Sequence, residues 1–424
     1  MSFLKKLRRS QHILFRRVLR QFADLPNGCI TVYSAARYLL SWQSPVGAPD
    51  LPMNRARVAS LVLLFLSVGF ACWRMPSPSV AAFAALPAPT SSPLPADFLT
   101  DKLPIIALTS HASSLAELPD GRILVAWYAG AREGASDVQI WFAIRNGSGW
   151  SIPRVAATRS ETARDLGLYV GKLGNPVVFH DGNLLHLWYV SVSFGGWSGS
   201  SINHKSSADD GTTWSATERL ETSPFFNIGT LVRGPPVRLK DGGIGLPIYQ
   251  ELVTQRAEWL RIDRDGKLAG KIRLPSAQSA LQPAAVALDE LRAIALLRHA
   301  GRLNGNVMAA ATDDGGETWR ELPPLSIGNR NSGLALLHLA DGRLLLAANP
   351  QPQRNVLVLF LSHDEGKSWN VARIVADDPI LSAEYSYPAL LQTADGFIHL
   401  TYTFDRQTIA YARFSEATLD RGAP

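Results

Sequence analysis

The chain has 424 residues but only two cysteines, Cys29 and Cys72. A disulfide framework and a cysteine-built zinc site are therefore excluded from everything beyond residue 74, which must hold together by packing and hydrogen bonds. Net positive charge is lacking there as well. Residues 1–74 carry eleven Lys/Arg against Asp24 and Asp50, a net +9, so of the total +6 the remainder carries −3. That body offers no bulk attraction for nucleic acid, and none is expected as a partner. Apolar residues make up 46% of the chain, enough for a sizeable core.

Long hydrophobic runs are nearly absent too. The exception, "VASLVLLFLSVGFACW" over 58–73, holds no charge and is flanked by Arg55, Arg57 and Arg74. It is short for a spanning helix of ~20 residues and long for a signal-peptide core of ~7–15. Membrane anchor, cleaved signal and buried helix all stay open, with the anchor favoured because Arg74 follows the run directly. The basic excess before it would put residues 1–57 in the cytoplasm and the body outside an inner membrane crossed once. Met53 opens a stretch that reads as an export signal starting afresh. Residues 74–103, rich in Pro, Ala and Ser, read as an extended linker.

What the body does have is a period. Six segments place a turn aspartate between two apolar runs, at Asp120, Asp181, Asp241, Asp289, Asp341 and Asp395, spaced 61, 60, 48, 52 and 54 residues apart. Asp-Gly between apolar runs is a hairpin signal, because both residues tolerate the positive φ that tight turns need. Each hairpin is followed by further strand-like runs. Four strands per ~50 residues, six times, is the arithmetic of an all-β, six-bladed propeller, here over 104–415.

A polar motif punctuates the same period: "SADDGTTW" at 207–214, "TDDGGETW" at 312–319 and "SHDEGKSW" at 362–369. Strands in a blade run antiparallel from the axis outward. The Asp-Gly turns (first to second strand) and the Trp motif (third to fourth) therefore share one face. The motif is read as a structural fastener, its Trp packing between outer strands, rather than as a set of acids or metal ligands. The opposite face collects His111, Arg132, Glu133, Asp137, Arg233, Gln282, Glu251, Arg298, Arg302, Asn331, Arg354, Tyr385 and Arg406. Guanidinium groups converging near an axis suit a carboxylate or similar anion. No metal or cofactor is expected, and the oligomeric state is left open.

The motif S-x-D-x-G-x-x-W is the Asp-box, and residues 105–414 resemble the bacterial sialidase-like (BNR-repeat) superfamily. The resemblance implies an exo-glycosidase of sialidase type acting on a terminal acidic sugar. "EYSYP" at 384–388 looks like the segment with the nucleophilic tyrosine, which would be Tyr385. A neutral phenol avoids the repulsion that an anionic nucleophile meets at a carbon already bearing a carboxylate. Arg354 would take the place of one carboxylate-binding arginine, with Arg298 or Arg302 as another, and Glu133 or Asp137 that of the general acid. His111-Ala112-Ser113 stands where the family has Arg-Ile-Pro, and Gln282 where it has the glutamate that activates the tyrosine. An amide cannot take the phenol proton, so either Glu251 or Glu384 substitutes or the tyrosine is not used that way. A uronate-active polysaccharide lyase using Tyr385 or His111 as base, and a non-catalytic carbohydrate-binding propeller in envelope polysaccharide assembly, are the competing readings.

Overall fold

The computed structural model describes residues 63–70, 82–84 and 94–420, apart from 148, 224–226, 277–278 and 302–304. The chain divides into two units, 1–78 and 79–424. In the first, residues 63–70 are helical. The rest of the apolar run at 58–73 lies outside the described residues, and among the described residues no helix is long and apolar enough to cross a membrane. The anchor thus remains an expectation without structural support.

The second unit is a ring of six antiparallel sheets. Blade 1 takes β2 (Thr109–Glu117), β3 (Ile123–Gly130), β4 (Gln139–Asn146), and the short β5 (Gly149–Trp150) and β6 (Arg154–Ala157). Helix α1 (Arg159–Leu166) leads to blade 2, formed by β7 (Lys172–His180), β8 (Leu185–Val192), β9 (Ser200–Ser207) and β10 (Glu218–Arg219). In blade 3 the inner strand is broken at Pro235-Pro236 into β11 (Thr230–Val232) and β12 (Val237–Arg238), ahead of β13 (Ile244–Gln250), β14 (Arg256–Ile262) and β15 (Leu268–Arg273). Proline cannot donate to a ladder, which accounts for the break. Blade 4 is β16 (Ala280–Ala287), β17 (Ala293–His299), β18 (Met308–Thr312) and β19 (Arg320–Leu322). Blade 5 is β20 (Ala335–His338), β21 (Leu344–Ala348), β22 (Val356–Ser362) and β23 (Asn370–Asp377). Blade 6 is β24 (Tyr385–Gln392), β25 (Ile398–Phe404) and β26 (Thr408–Phe414), and its outermost strand is β1 (Phe98–Lys102).

That last strand corrects the sequence reading, which put residues 98–102 in a linker. A second part of the supposed linker is also packed: Phe83 is fully buried in the seam between blades 3 and 4, edge-on to Trp259 at 6.2 Å. The core as a whole is a set of such seams. Its apolar clusters each draw mainly on two neighbouring blades, including one that joins blade 6 to blade 1 through Tyr411, Ile409 and Trp127.

All six turn aspartates lie between the first and second strands of a blade. Only the glycine after them uses positive φ, as at Gly121 (81°), Gly242 (85°) and Gly342 (91°), while the aspartates do not. Instead each aspartate carboxylate accepts the backbone N–H two residues on, as from Arg122 to Asp120 at 3.1 Å. In blades 1, 3, 5 and 6 the hairpins are thus three-residue turns with a left-handed glycine, whereas blade 2 closes a tight two-residue turn, Asp181 N donating to the Leu184 carbonyl, and blade 4 has Glu290 in place of the glycine.

The Asp-box aspartates are wholly engaged. In the second blade, Asp209 accepts from Ser207 Oγ (2.8 Å), from Thr213 N (2.8 Å) and from Thr213 Oγ1 (2.8 Å). Asp314 and Asp364 repeat this pattern. The Trp side chains pack across the seam, not between outer strands of one blade: Trp214 meets Phe142 of blade 1, and Trp319 meets Trp259 of blade 3. The motif joins each blade to the one before it. Arg122, from a blade 1 turn, reaches Asp210 of the blade 2 Asp-box at 2.7 Å, which fixes turns and boxes on one face.

Candidate active site at the mouth of the propeller

Four inner strands share a bulge at the opposite face. In β2, β7, β16 and β24 the pairing slips between His111 and Ser114, Gly174 and Val177, Leu281 and Ala284, and Ser386 and Ala389. Each bulge holds a residue other than glycine at positive φ: Ala112 (48°), Asn175 (47°), Gln282 (46°) and Tyr387 (51°). Such backbone costs on the order of 1–3 kcal/mol each and persists where the fold enforces it. Its effect is to turn alternate side chains away from their pleat, toward the axis.

That turn decides which tyrosine reaches the site. Tyr385 is buried in the seam between blades 5 and 6, its ring against Tyr402 and Phe404. Tyr387 is the one at the mouth, partly exposed, with Arg233, Arg298 and Arg354 each placing a guanidinium carbon 5.5–5.8 Å from its ring centre. The ring of His111 meets it edge-on at 4.6 Å. The expectation at Tyr385 came from counting along "EYSYP" without the bulge. A signal was present: Asn175-Pro176, Gly234-Pro235, Gln282-Pro283 and Tyr387-Pro388 set a residue before proline at the matching place in four blades.

The arginines divide into two kinds. Arg354 donates to Glu384 at 3.2 Å, and Arg406 donates to Glu384 at 2.7 Å and to Glu133 at 3.1 Å. Burial would raise the Glu384 carboxyl, but the Arg406 hydrogen bond and charge, with Arg354, bring it down to about 2. Arg233 and Arg298, by contrast, are 6% and 8% exposed and have no carboxylate within ion-pair distance among the described residues. Arg233 donates to the carbonyls of Tyr387 (2.9 Å) and Pro388 (3.2 Å). Arg298 donates to Gln282 Oε1 (2.8 Å), to Asn331 Oδ1 (2.7 Å) and, more weakly, to the Tyr387 hydroxyl oxygen (3.4 Å).

Gln282 is held in turn by its Nε2, which donates to the Tyr249 oxygen at 3.4 Å, while Asn175 donates to the same oxygen at 2.9 Å. Gly333 lies behind the group: a Cβ there would come within 3.0 Å of Tyr387 and 3.3 Å of Gln282. His111 is 2% exposed and neither ring nitrogen has a hydrogen-bond partner. Burial first, and then Arg406, push it down to about 3, so it stays neutral.

Of the two candidate acids, Glu133 faces the cluster, its carboxylate 3.9 Å from His111 Nε2. Asp137 is exposed and accepts the Ala131 N–H at 2.9 Å, which shapes the loop instead. Glu251 is half-buried at the edge, raised by burial against the pull of Arg298 and Lys172. Arg132 is exposed on the rim. Arg302 lies outside the described residues. Among the described residues no acidic, histidine or cysteine cluster could hold a metal ion.

Residues 121–400 match the BNR repeat-like domain family. The chain belongs to that family. No match was found among curated proteins by sequence. The fold resembles a Hadza microbial sialidase at 15% identity and a TM-score of 0.60, over 73% of this chain and 66% of that one. It also resembles the Ruminococcus gnavus intramolecular trans-sialidase, solved with oseltamivir carboxylate, at 16% identity and 0.58, over 73% and 95% of the two chains. A Dyadobacter fermentans protein of unknown function matches at 15% and 0.58, over 74% and 99%. At such identities these relatives speak for the propeller of this BNR-repeat chain, a sialidase-like fold, and not for its chemistry.

Proposed function

We propose that this BNR-repeat propeller is an exo-glycosidase that removes a terminal acidic sugar from a glycan, with Tyr387 as its nucleophile. The observation that carries the reading is the convergence of Arg233, Arg298 and Arg354 on one phenol, with Glu133 3.9 Å from the His111 that packs against that ring. Guanidinium groups at that spacing suit the carboxylate of the sugar and would hold its anomeric carbon over the phenol. The Tyr387 oxygen would give up its proton to water and form a bond to that carbon as the bond to the leaving oxygen breaks. Glu133 would supply the proton that the leaving oxygen takes up. Water would then release the sugar by the reverse transfer.

The test is incubation of the purified protein with aryl sialosides and aryl uronides, against Tyr387→Phe and Tyr385→Phe. Release of the aryl alcohol should fall at least about 1,000-fold in the first variant, and far less in the second. Equal rates in the wild type and Tyr387→Phe would end the assignment. Gln282, an amide next to the phenol, favours a second reading: a propeller that binds such a sugar without cleaving it. Salt-sensitive binding of sialosides with no turnover would support it.

A further inference from the structure

We propose that the unpaired guanidinium groups of Arg233 and Arg298 make the Tyr387 phenol easier to ionise than the tyrosines around it, so that fixed positive charge takes over the part of the carboxylate base. Its use as an attacking atom rests on the reading above; its ionisation does not.

Two buried guanidinium groups without a carboxylate partner are costly, because buried charge is normally paired. Arg233 and Arg298 meet only backbone carbonyls and side-chain amides, apart from the Tyr387 oxygen. Tyr387 supplies the acidic oxygen that Arg298 touches. The hydrogen bonds of that oxygen agree: it accepts from Arg298, and among the described residues none accepts a proton from it. Gln282 completes the arrangement. A glutamate there would neutralise Arg298 and leave the phenol protonated, whereas the amide leaves the cation's field on the phenol.

The other charged and titratable groups around the ring act on both sides. Burial and Glu133, from the β3–β4 loop, favour the neutral phenol, while Arg298 from β17 and Arg354 ahead of β22 outweigh them, so the net direction is downward. Neighbouring tyrosines go the other way. Tyr249 of β13 and Tyr128 of β3 are both raised, by burial first, with Glu251 acting on Tyr249 and Glu133 on Tyr128. His111 of β2 is neutral, and the Glu384–Arg406 pair largely cancels itself. Among these three tyrosines, Tyr387 alone is shifted downward by its cations.

The experiment is an ultraviolet titration of the phenolate band in the full-length protein, wild type against Tyr387→Phe. One tyrosine equivalent of the ten should ionise below the range of the others and be missing from the variant. Gln282→Glu, nearly isosteric, should move that step upward, and it keeps the test open if Tyr387→Phe does not fold. A wild type with no early step, or an early step unchanged by both substitutions, overturns the proposal. The readout needs no substrate, so a protein that cleaves no sugar yet shows the step refutes only the proposed activity.

Discussion

The two faces of the propeller carry charge in opposite ways. On the turn face, Arg122, Arg292 and Arg343 each bridge an aspartate of their own turn and a second acid, Asp210, Glu365 and Asp420 respectively. The Asp-box carboxylates accept three hydrogen bonds apiece. On the mouth face, among the described residues, two guanidinium groups lack a carboxylate, His111 lacks a hydrogen-bond partner, and four bulges hold strained residues. A face on which carboxylates meet guanidinium groups and backbone donors is built for stability. One with unmatched charge and strain is built to receive something.

The largest effect that would test this contrast is at the mouth. Arg298→Gln is expected to lower sialoside turnover by about 100-fold or more, while the melting temperature moves by a few degrees at most. Equal loss of both in calorimetry and kinetics would erase the distinction between the faces.

Next comes the turn face. Asp314→Ala strips acceptors from Thr318 N, Thr318 Oγ1 and Thr312 Oγ1. Denaturant melts should show a loss of about 1–3 kcal/mol with turnover per folded molecule unchanged. A selective loss of turnover would mean that the Asp-box does more than fasten blades.

Acid should act on both faces. His111, His204 and His399 are pushed by burial to about 3, 4 and 4. Each is neutral in the folded chain and takes a proton once unfolded below about pH 6.5. Their contribution is therefore whole above that pH and declines as pH falls toward those values. Glu384, near 2, adds a loss below about pH 4.5. Denaturant midpoints should thus fall steadily from pH 7 to pH 4, less steeply in His399→Asn; a flat profile would contradict the buried neutral histidines. The smallest effect belongs to Lys240–Glu290, an exposed pair at 2.8 Å. Removing it should change stability by less than about 0.5 kcal/mol.

The fold was legible in the sequence because each blade announces itself locally. Six turn aspartates and three Asp-boxes set strand order, face and period without any long-range information. What escaped is non-local. Strand β1 is written "FLTDK" within proline-rich sequence and becomes a strand only because β26 offers it an edge. Tyr387 escaped for a different reason: period-two alternation puts residues 385 and 387 on one face, and the bulge between Ser386 and Ala389 breaks that rule at Tyr387. The arginines of the mouth could be collected from strand ends, but their pairing with Glu384, or lack of any carboxylate, depends on contacts between blades.

The pairing of Phe98 with Phe414 has a consequence for how the molecule is made. A nascent chain emits β1 first and its partner β26 last, so for most of synthesis the outer strand has nothing to bind. Closure then depends on bringing together segments more than three hundred residues apart in sequence, a slow step by the logic of loop closure. Until it occurs, β26 presents a bare strand edge, and its pairing with β1 decides whether one chain completes its own ring.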